Sequence, residues 1–389
     1  MRLTWLSNAP WAPTGYGNQT RIFTKRIKDL GHEVAIIAFY GIEGGSLTVN
    51  GIPVFPRGFH PYGMDVARAH SMSFKADAMI SLIDAWVCDP KSIIPVKWIP
   101  WFPIDSDPLS PFISDKVGQA YKRLVFSKHA CRMMDAIGMD YDYIPHGVET
   151  GTFAPLDQKQ AREELRVRGG LAISDDCFLV GMVAANKGTP SRKAFDSHIA
   201  GFAEFARKHT DAVLYLHTQK SEHGENSGVN LPELCRYHGL EIGKNVLFPN
   251  EYQTLLGWPD GYMQAAYSAM DVKLMATMGE GFGIPIVEAQ SCGTPVIVGD
   301  WTANSELCFS GWKIPVTKSV PMWTTLGTNQ YHVHPGAVAD ALQQAYNKRG
   351  NKIYRQRARE GALQYDADKV TAEYWKPYLE KLEAQISNE

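Results

Sequence analysis

Short apolar runs alternate along this chain with stretches of helical spacing. Leu3-Thr4-Trp5-Leu6 reads as a first strand, and a loop rich in proline and glycine follows from Asn8 to Gly17. Apolar positions then recur at Ile22, Phe23, Ile27 and Leu30, one face of a helix, which Gly31 closes before a second strand, Val34-Ala35-Ile36-Ile37. This is a βαβ opening. A similar pattern begins at Phe178-Leu179-Val180-Gly181-Met182-Val183, which leads through a polar loop, Asn186 to Arg192, into helical spacing at Phe195, Ile199, Phe202 and Phe205. At 389 residues the chain is long enough for two α/β domains, each with its own core. Their boundary is expected between Thr150 and Asp175, where Leu156 to Arg168 reads as a charged helix and Gly169-Gly170 as a break. The polar stretch Gln219 to Asn230 reads as a mobile loop. The final segment, Ala367 to Ile386, carries Tyr374, Trp375, Tyr378 and Leu382 at helical spacing.

Composition narrows the class only a little. Hydrophobic residues make up 44% and charged residues 21%, an ordinary balance for a soluble protein. No stretch approaches the ~20 apolar residues that span a bilayer, and the first residues lack a leader pattern, so a cytoplasmic protein without a transmembrane segment is expected. The formal net charge of −2 lacks the cationic excess of a general nucleic-acid binder. Lys116, Lys122, Arg123, Lys128 and Arg132 form a local basic cluster, which reads as a solvated face. Cys88, Cys131, Cys177, Cys235, Cys292 and Cys308 are scattered without C-x-x-C spacing, against a zinc site or a disulfide framework. Asp105-Ser106-Asp107 could hold a divalent ion but lies among Trp98, Trp101 and Phe102, far from the segment described next, and no metal site is expected.

The segment with the most chemistry runs from Gly279 to Glu288, GEGFGIPIVE. Gly281 and Gly283 let backbone approach a ligand, and Pro285 suits the first turn of a helix, where its missing N–H costs nothing. The unpaired N–H groups of that turn can face an anion. Glu280 lies on the loop, and Glu288, one turn beyond Ile284, on the helix. Arg192 and Lys193 stand at another helix entrance, where cations oppose the helix dipole and a bound diphosphate would resolve the conflict.

The stretch from Glu280 to Glu306 resembles the donor-binding signature of the retaining nucleotide-sugar glycosyltransferases of family 4, within the group 1 glycosyl transferases. The resemblance implies the GT-B architecture, two Rossmann-like domains facing across a cleft. Residues 1–170 would be the acceptor-side domain and 171–366 the nucleotide-sugar donor domain, with a terminal helix, 367–389, packing back on the first. Leu30-Gly31-His32-Glu33-Val34 and Ile144-Pro145-His146-Gly147-Val148-Glu149 are similar to further segments of the family, with His146 where an asparagine is common.

From that resemblance, Glu280, Arg192 and Lys193 are the expected catalytic residues. Arg192 and Lys193 would hold the donor's phosphates, with Lys187 as a substitute, and Glu280 the sugar hydroxyls. Glu288 would hold the ribose hydroxyls; Gly15, Gly17, Gly281, Phe282, Gly283 and Ile284 would complete the donor site. Glu306 matches a further acid of the family, with fixing of its loop as the alternative role. On the acceptor side Tyr16, Trp86 and Asp105 are weaker candidates, in a region rich in aromatic residues.

The implied reaction is transfer of a sugar from a nucleotide diphosphate sugar, a UDP-sugar favoured, to an acceptor hydroxyl with retention, without metal or other cofactor. The acceptor stays open: a glycan or glycoconjugate, including one at a membrane surface, or hydroxylated bases in DNA. A catalytically idle sugar-nucleotide binder is the reading from a different class.

Overall fold

The computed structural model describes residues 1–221 and 228–389; half of the expected loop at 219–230 therefore lies outside the described residues. By their internal contacts the described residues divide into two units: residues 1–147, 324–328 and 365–389, and residues 148–323 and 329–364.

The first unit is built on strands β1 (Arg2–Asn8), β2 (Glu33–Tyr40), β3 (Leu47–Val49), β4 (Ile52–Pro56), β5 (Ala78–Leu82), β6 (Trp98–Phe102), β7 (Leu124–Val125) and β8 (Asp142–Tyr143). They form one sheet in the order β3-β4-β2-β1-β5-β6-β7-β8, parallel except for the β3–β4 pair. Every residue of β5 and β6 is buried, as expected of parallel strands covered on both faces. Chain order reverses at β1, because β2 is added on one side and β5 on the other.

The helix after β1 runs from Gly15 to Asp29, capped by Thr14, whose hydroxyl accepts from the Gly17 N–H at 3.0 Å. Gly15-Tyr16-Gly17, expected in the loop, therefore lies in the first helical turn. Gly17 is required by packing: a Cβ there would sit 2.3 Å from the Ala12 carbonyl oxygen.

The C-terminal segment belongs to this unit. Helical residues Ala367–Val370, a π-helical turn over Thr371–Trp375 and the helix Lys376–Ser387 bury Trp375, Tyr378 and Leu382. Trp375 lies 5.1 Å from Trp101, 5.7 Å from Trp5 and 5.5 Å from Phe23, ring centre to ring centre. His146 stacks on Phe126 in the same cluster, and burial pushes its pKa down to about 3, so it packs as a neutral ring.

The second unit carries β9 (Phe178–Val183), β10 (Ala212–His217), β11 (Val246–Leu247), β12 (Val272–Met275), β13 (Val296–Gly299) and β14 (Gly311–Ile314), in the order β11-β10-β9-β12-β13-β14, all parallel. A hairpin, β15 (Val316–Trp323) with β16 (Asn329–Val333), is added outside this sheet. Phe195, Ile199, Phe202 and Phe205, the face expected from spacing, are buried in its core with Phe178, Val180 and Leu274.

The division at 147/148 falls earlier than the expected 170/171. The charged helix, observed at Gln158–Val167, is tied into the second unit by Arg162, which bridges Asp271 at 2.9 Å with both side chains buried. Asp271 also accepts from the Leu179 N–H of β9 at 2.8 Å. That network gives residues 148–170 their partners in the second unit, which spacing along the chain could not reveal.

Candidate functional site

In an open parallel sheet, ligands bind beyond the carboxyl ends of the strands where chain order reverses. In the second unit that point lies between β9 and β12. The segment after β9 delivers Arg192 and Lys193, and the segment after β12 delivers Glu280. The two are joined by the Met278 N–H, which donates to the Arg192 carbonyl at 2.9 Å. Residues 87 apart in sequence thus meet because their strands are neighbours.

Glu280 is buried and sits between two cations: Lys193 Nζ donates to its Oε1, and Arg192 Nη1 lies 3.4 Å from the same atom. Burial works to raise the Glu280 pKa, but Lys193 and then Arg192 outweigh it and hold the carboxyl below its ordinary range. Arg192 also donates to the Gly279 carbonyl. The basic pair stands just before the helix Phe195–Ala206, as spacing predicts, and Glu280 offsets part of the resulting conflict with the helix dipole.

A third segment fixes the Glu280 backbone. The Glu280 N–H donates to Thr302 Oγ1 at 2.9 Å, and Trp301 Nε1 donates to the Met278 carbonyl at 2.9 Å. Asn304 Nδ2 donates to Thr277 Oγ1 at 2.9 Å. Thr302 holds φ at +52°, in the left-handed region, which costs a β-branched residue about 1–2 kcal/mol. Ala194, next to Lys193, is held at the same φ of 52°. Strained backbone on both sides of the acid-base group is characteristic of functional sites. These partners lie 22 to 27 residues from the groups they hold, so local pattern reading misses them.

The helix Ile284–Ser291 begins at Gly283, whose φ of +112° suits glycine and which has no side chain to cap the first turn. Phe282 and Ile284 are buried beside it. Glu288 is buried on this helix, and Tyr267 donates its hydroxyl to Glu288 Oε2 at 2.7 Å. Burial and then Glu288 raise the Tyr267 pKa well above its ordinary value, so the phenol stays neutral and donates. Glu288 and Glu280 are thus both present at the carboxyl end of β12, one on the helix and one on the loop.

The first unit has a corresponding reversal between β1 and β5. Gly15, Tyr16 and Gly17 follow β1, Trp86 follows β5, and Asp105 follows β6, so the acceptor-side candidates share one edge of their sheet. Tyr16 reaches Asp84 Oδ1 at 3.5 Å, and Asn8 donates to Thr14 Oγ1 at 2.7 Å. Trp11 and Trp86 are exposed, whereas Trp5, Trp98, Trp101 and Phe102 are core. The local basic cluster disperses: Arg123 pairs with Asp140 at 2.8 Å, and Lys128 lies over the Tyr143 ring. Among the described residues no group of three or more metal-ligating side chains converges, and no helix is long and apolar enough to cross a membrane.

Residues 179–347 match the family model described as Glycosyl transferases group 1. The chain is 32% identical over 161 residues to a D-inositol 3-phosphate glycosyltransferase of Segniliparus rotundus, covering 40% of this chain and 31% of the relative. The chain spans about a third of the length of the curated relatives it matches. Among solved structures, sucrose-phosphate synthase from Thermosynechococcus elongatus superposes with a TM-score of 0.76 at 15% identity, over 99% of this chain and 100% of that one. Anabaena HepE in complex with UDP and glucose gives a TM-score of 0.67 at 15% identity, over 99% and 100%. With the sheet order and these likenesses together, the chain has the GT-B fold, and residues 179–347 of its second unit are similar to the glycosyl transferases group 1 family.

Proposed function

We propose that this chain is a retaining, metal-independent glycosyltransferase that moves a sugar from a nucleotide diphosphate sugar to a hydroxyl of a glycan or glycoconjugate. The observation that carries the reading is the convergence of Arg192, Lys193 and Glu280 where strand order reverses, with Glu288 on the adjoining helix. A UDP-sugar is the favoured donor, in keeping with the UDP and glucose bound to the similarly folded HepE.

As the glycosidic bond to the donor breaks, negative charge builds on the leaving diphosphate. Arg192 and Lys193 are the groups to stabilise it, with the N–H groups at the start of the Ile284 helix. Glu280, fixed by both cations and by Thr302, holds them in place and accepts hydrogen bonds from the sugar hydroxyls. Glu288 accepts from the ribose hydroxyls, its other contact with the Tyr267 phenol orienting the carboxylate. The acceptor hydroxyl attacks from the face the diphosphate leaves, and the departing phosphate takes its proton, which keeps the configuration without a protein nucleophile. Gly15 and Gly17 are the donor-binding candidates of the first unit, and Tyr16, Trp86 and Asp105 its acceptor-side candidates.

The test is thermal stabilisation by UDP, GDP and ADP and their sugars in the presence of EDTA, followed by determination of the product anomer by NMR. A shift with one nucleotide that disappears in Glu288→Ala, and a product with the donor's configuration, are expected. Binding only with added divalent metal, or an inverted product, contradicts the reading.

A further inference from the structure

Lys273 is out of keeping with its surroundings. It lies in β12, a central strand whose four residues, Val272-Lys273-Leu274-Met275, are all buried, and it pairs with Gly181 of β9 and Val296 of β13. Its side chain is fully buried, and Nζ has no hydrogen-bond partner among the described residues. Nζ lies 5.3 Å from the centre of the Tyr267 ring, the same ring whose hydroxyl donates to Glu288. A buried ammonium with no hydrogen bond is costly unless an opposite charge offsets it, and a residue chosen for stability alone would be apolar.

We propose that Lys273 is a positioning residue for donor binding, a cation behind Glu288 that balances the buried carboxylate and, with Tyr267, fixes it toward the donor's ribose. This rests on the donor-site reading above. Lys273 is fully buried, so it acts through Glu288 rather than on the ligand.

The charged and titratable groups around it define when it works. Burial lowers the Lys273 pKa from its ordinary 10.5 to about 7; Glu288 and Glu280 oppose the shift, and Lys193 adds to it. Burial holds His217 of β10 at about 3 and His198 of the Phe195 helix at about 4, so both stay neutral near pH 7. Tyr267 stays neutral as well, and Glu280, held low, stays ionised. Among Lys273, His217, His198, Tyr267 and Glu280, the group whose charge changes near neutral pH is Lys273. Donor affinity is then expected to fall as pH rises through about 7.

Stability should move the other way. Between about pH 7 and 10 the unfolded chain binds more protons at this site than the folded one, so its contribution to stability rises with pH.

The experiment compares wild type, Lys273→Met and Glu288→Ala, using whichever of UDP, GDP and ADP stabilises wild type most. Lys273→Met is expected to melt at or above the wild-type temperature near pH 7. It should bind the nucleotide about tenfold more weakly at pH 7, raise the donor KM with kcat at saturating donor little changed, and lose the pH dependence of affinity between pH 7 and 9. A merely structural lysine would lower stability and leave the pH profile in place. Wild-type affinity and pH profile in Lys273→Met, with binding lost in Glu288→Ala, overturn the inference and leave the donor site standing. Wild-type binding in Glu288→Ala, or no binding by wild type, removes the donor reading and the inference with it. Should Lys273→Met not fold, a flat wild-type affinity from pH 7 to 9 overturns the proposal.

Discussion

The two units repeat one idea with different chemistry at its working edge. Each has a parallel sheet whose strand order reverses, between β1 and β5 in one and between β9 and β12 in the other. At the first reversal the contacts are hydrogen bonds of Asn8, Thr14 and Gly17, with Tyr16 approaching Asp84. At the second, Glu280, Arg192 and Lys193 form an acid between two cations, on backbone pinned by Thr302, with Glu288 on the next helix, Tyr267 on the helix before β12 and Lys273 buried within β12. The same topology therefore supplies a place in both units, and the side chains give the two places different charge.

If the charged edge is the chemical one, substitutions there should alter turnover far more than those at the first edge. Lys193→Ala is expected to lower kcat about 100- to 1,000-fold, with Arg192→Ala affecting turnover more than donor affinity, read by initial rates and donor titration. Wild-type turnover in both would break the comparison. Glu288→Ala should weaken nucleotide binding about 10- to 100-fold by titration calorimetry, since it removes charged hydrogen bonds.

At the first edge the largest expected effect is on stability. Gly17→Ala places a methyl 2.3 Å from the Ala12 carbonyl oxygen, and a loss of about 1–3 kcal/mol is expected from thermal or urea unfolding. Tyr16→Phe should change stability by less than about 0.5 kcal/mol, its effect confined to the acceptor KM. A large drop in donor affinity from Tyr16→Phe would mean that the two edges are not as different as their charges indicate.

The acid limb of the stability curve sharpens the contrast further. Glu280 has a lowered folded pKa, so its ion pairs contribute fully above the ordinary carboxylate range and are lost as pH falls through that lowered value. Glu280→Gln should therefore flatten the fall in melting temperature at acid pH, read by thermal unfolding across the acid range.

Much of this was legible along the chain. The strands at Leu3 and Phe178 and the helix faces at Ile22 and Phe195 follow from local periodicity, and the Gly283-Ile284-Pro285 helix start from local backbone preference. Arg192, Lys193, Glu280 and Glu288 could be singled out because each sits beside a glycine or a helix entrance that announces itself within a few residues. Gly15 and Gly17 were harder. Thr14 caps a helix that starts earlier than the apolar spacing begins, because the first turn carries Gly15, Tyr16, Gly17 and Asn18 and little apolar signal.

The sequence by itself determined the βαβ opening, the strand at Phe178 with the helix face after it, the α/β class and the residue types of the loop from Gly279 to Gly283, since these depend on interactions between near neighbours. Only the tertiary structure decided that Glu280 lies between Arg192 and Lys193, that Thr302 and Tyr267 hold the two acids, that residues 148–170 join the second unit, and that Lys273 is buried without a hydrogen-bond partner among the described residues. Those facts arise from which strands lie side by side in the sheet, and sheet order is set by packing of the whole unit rather than by any local run of residues.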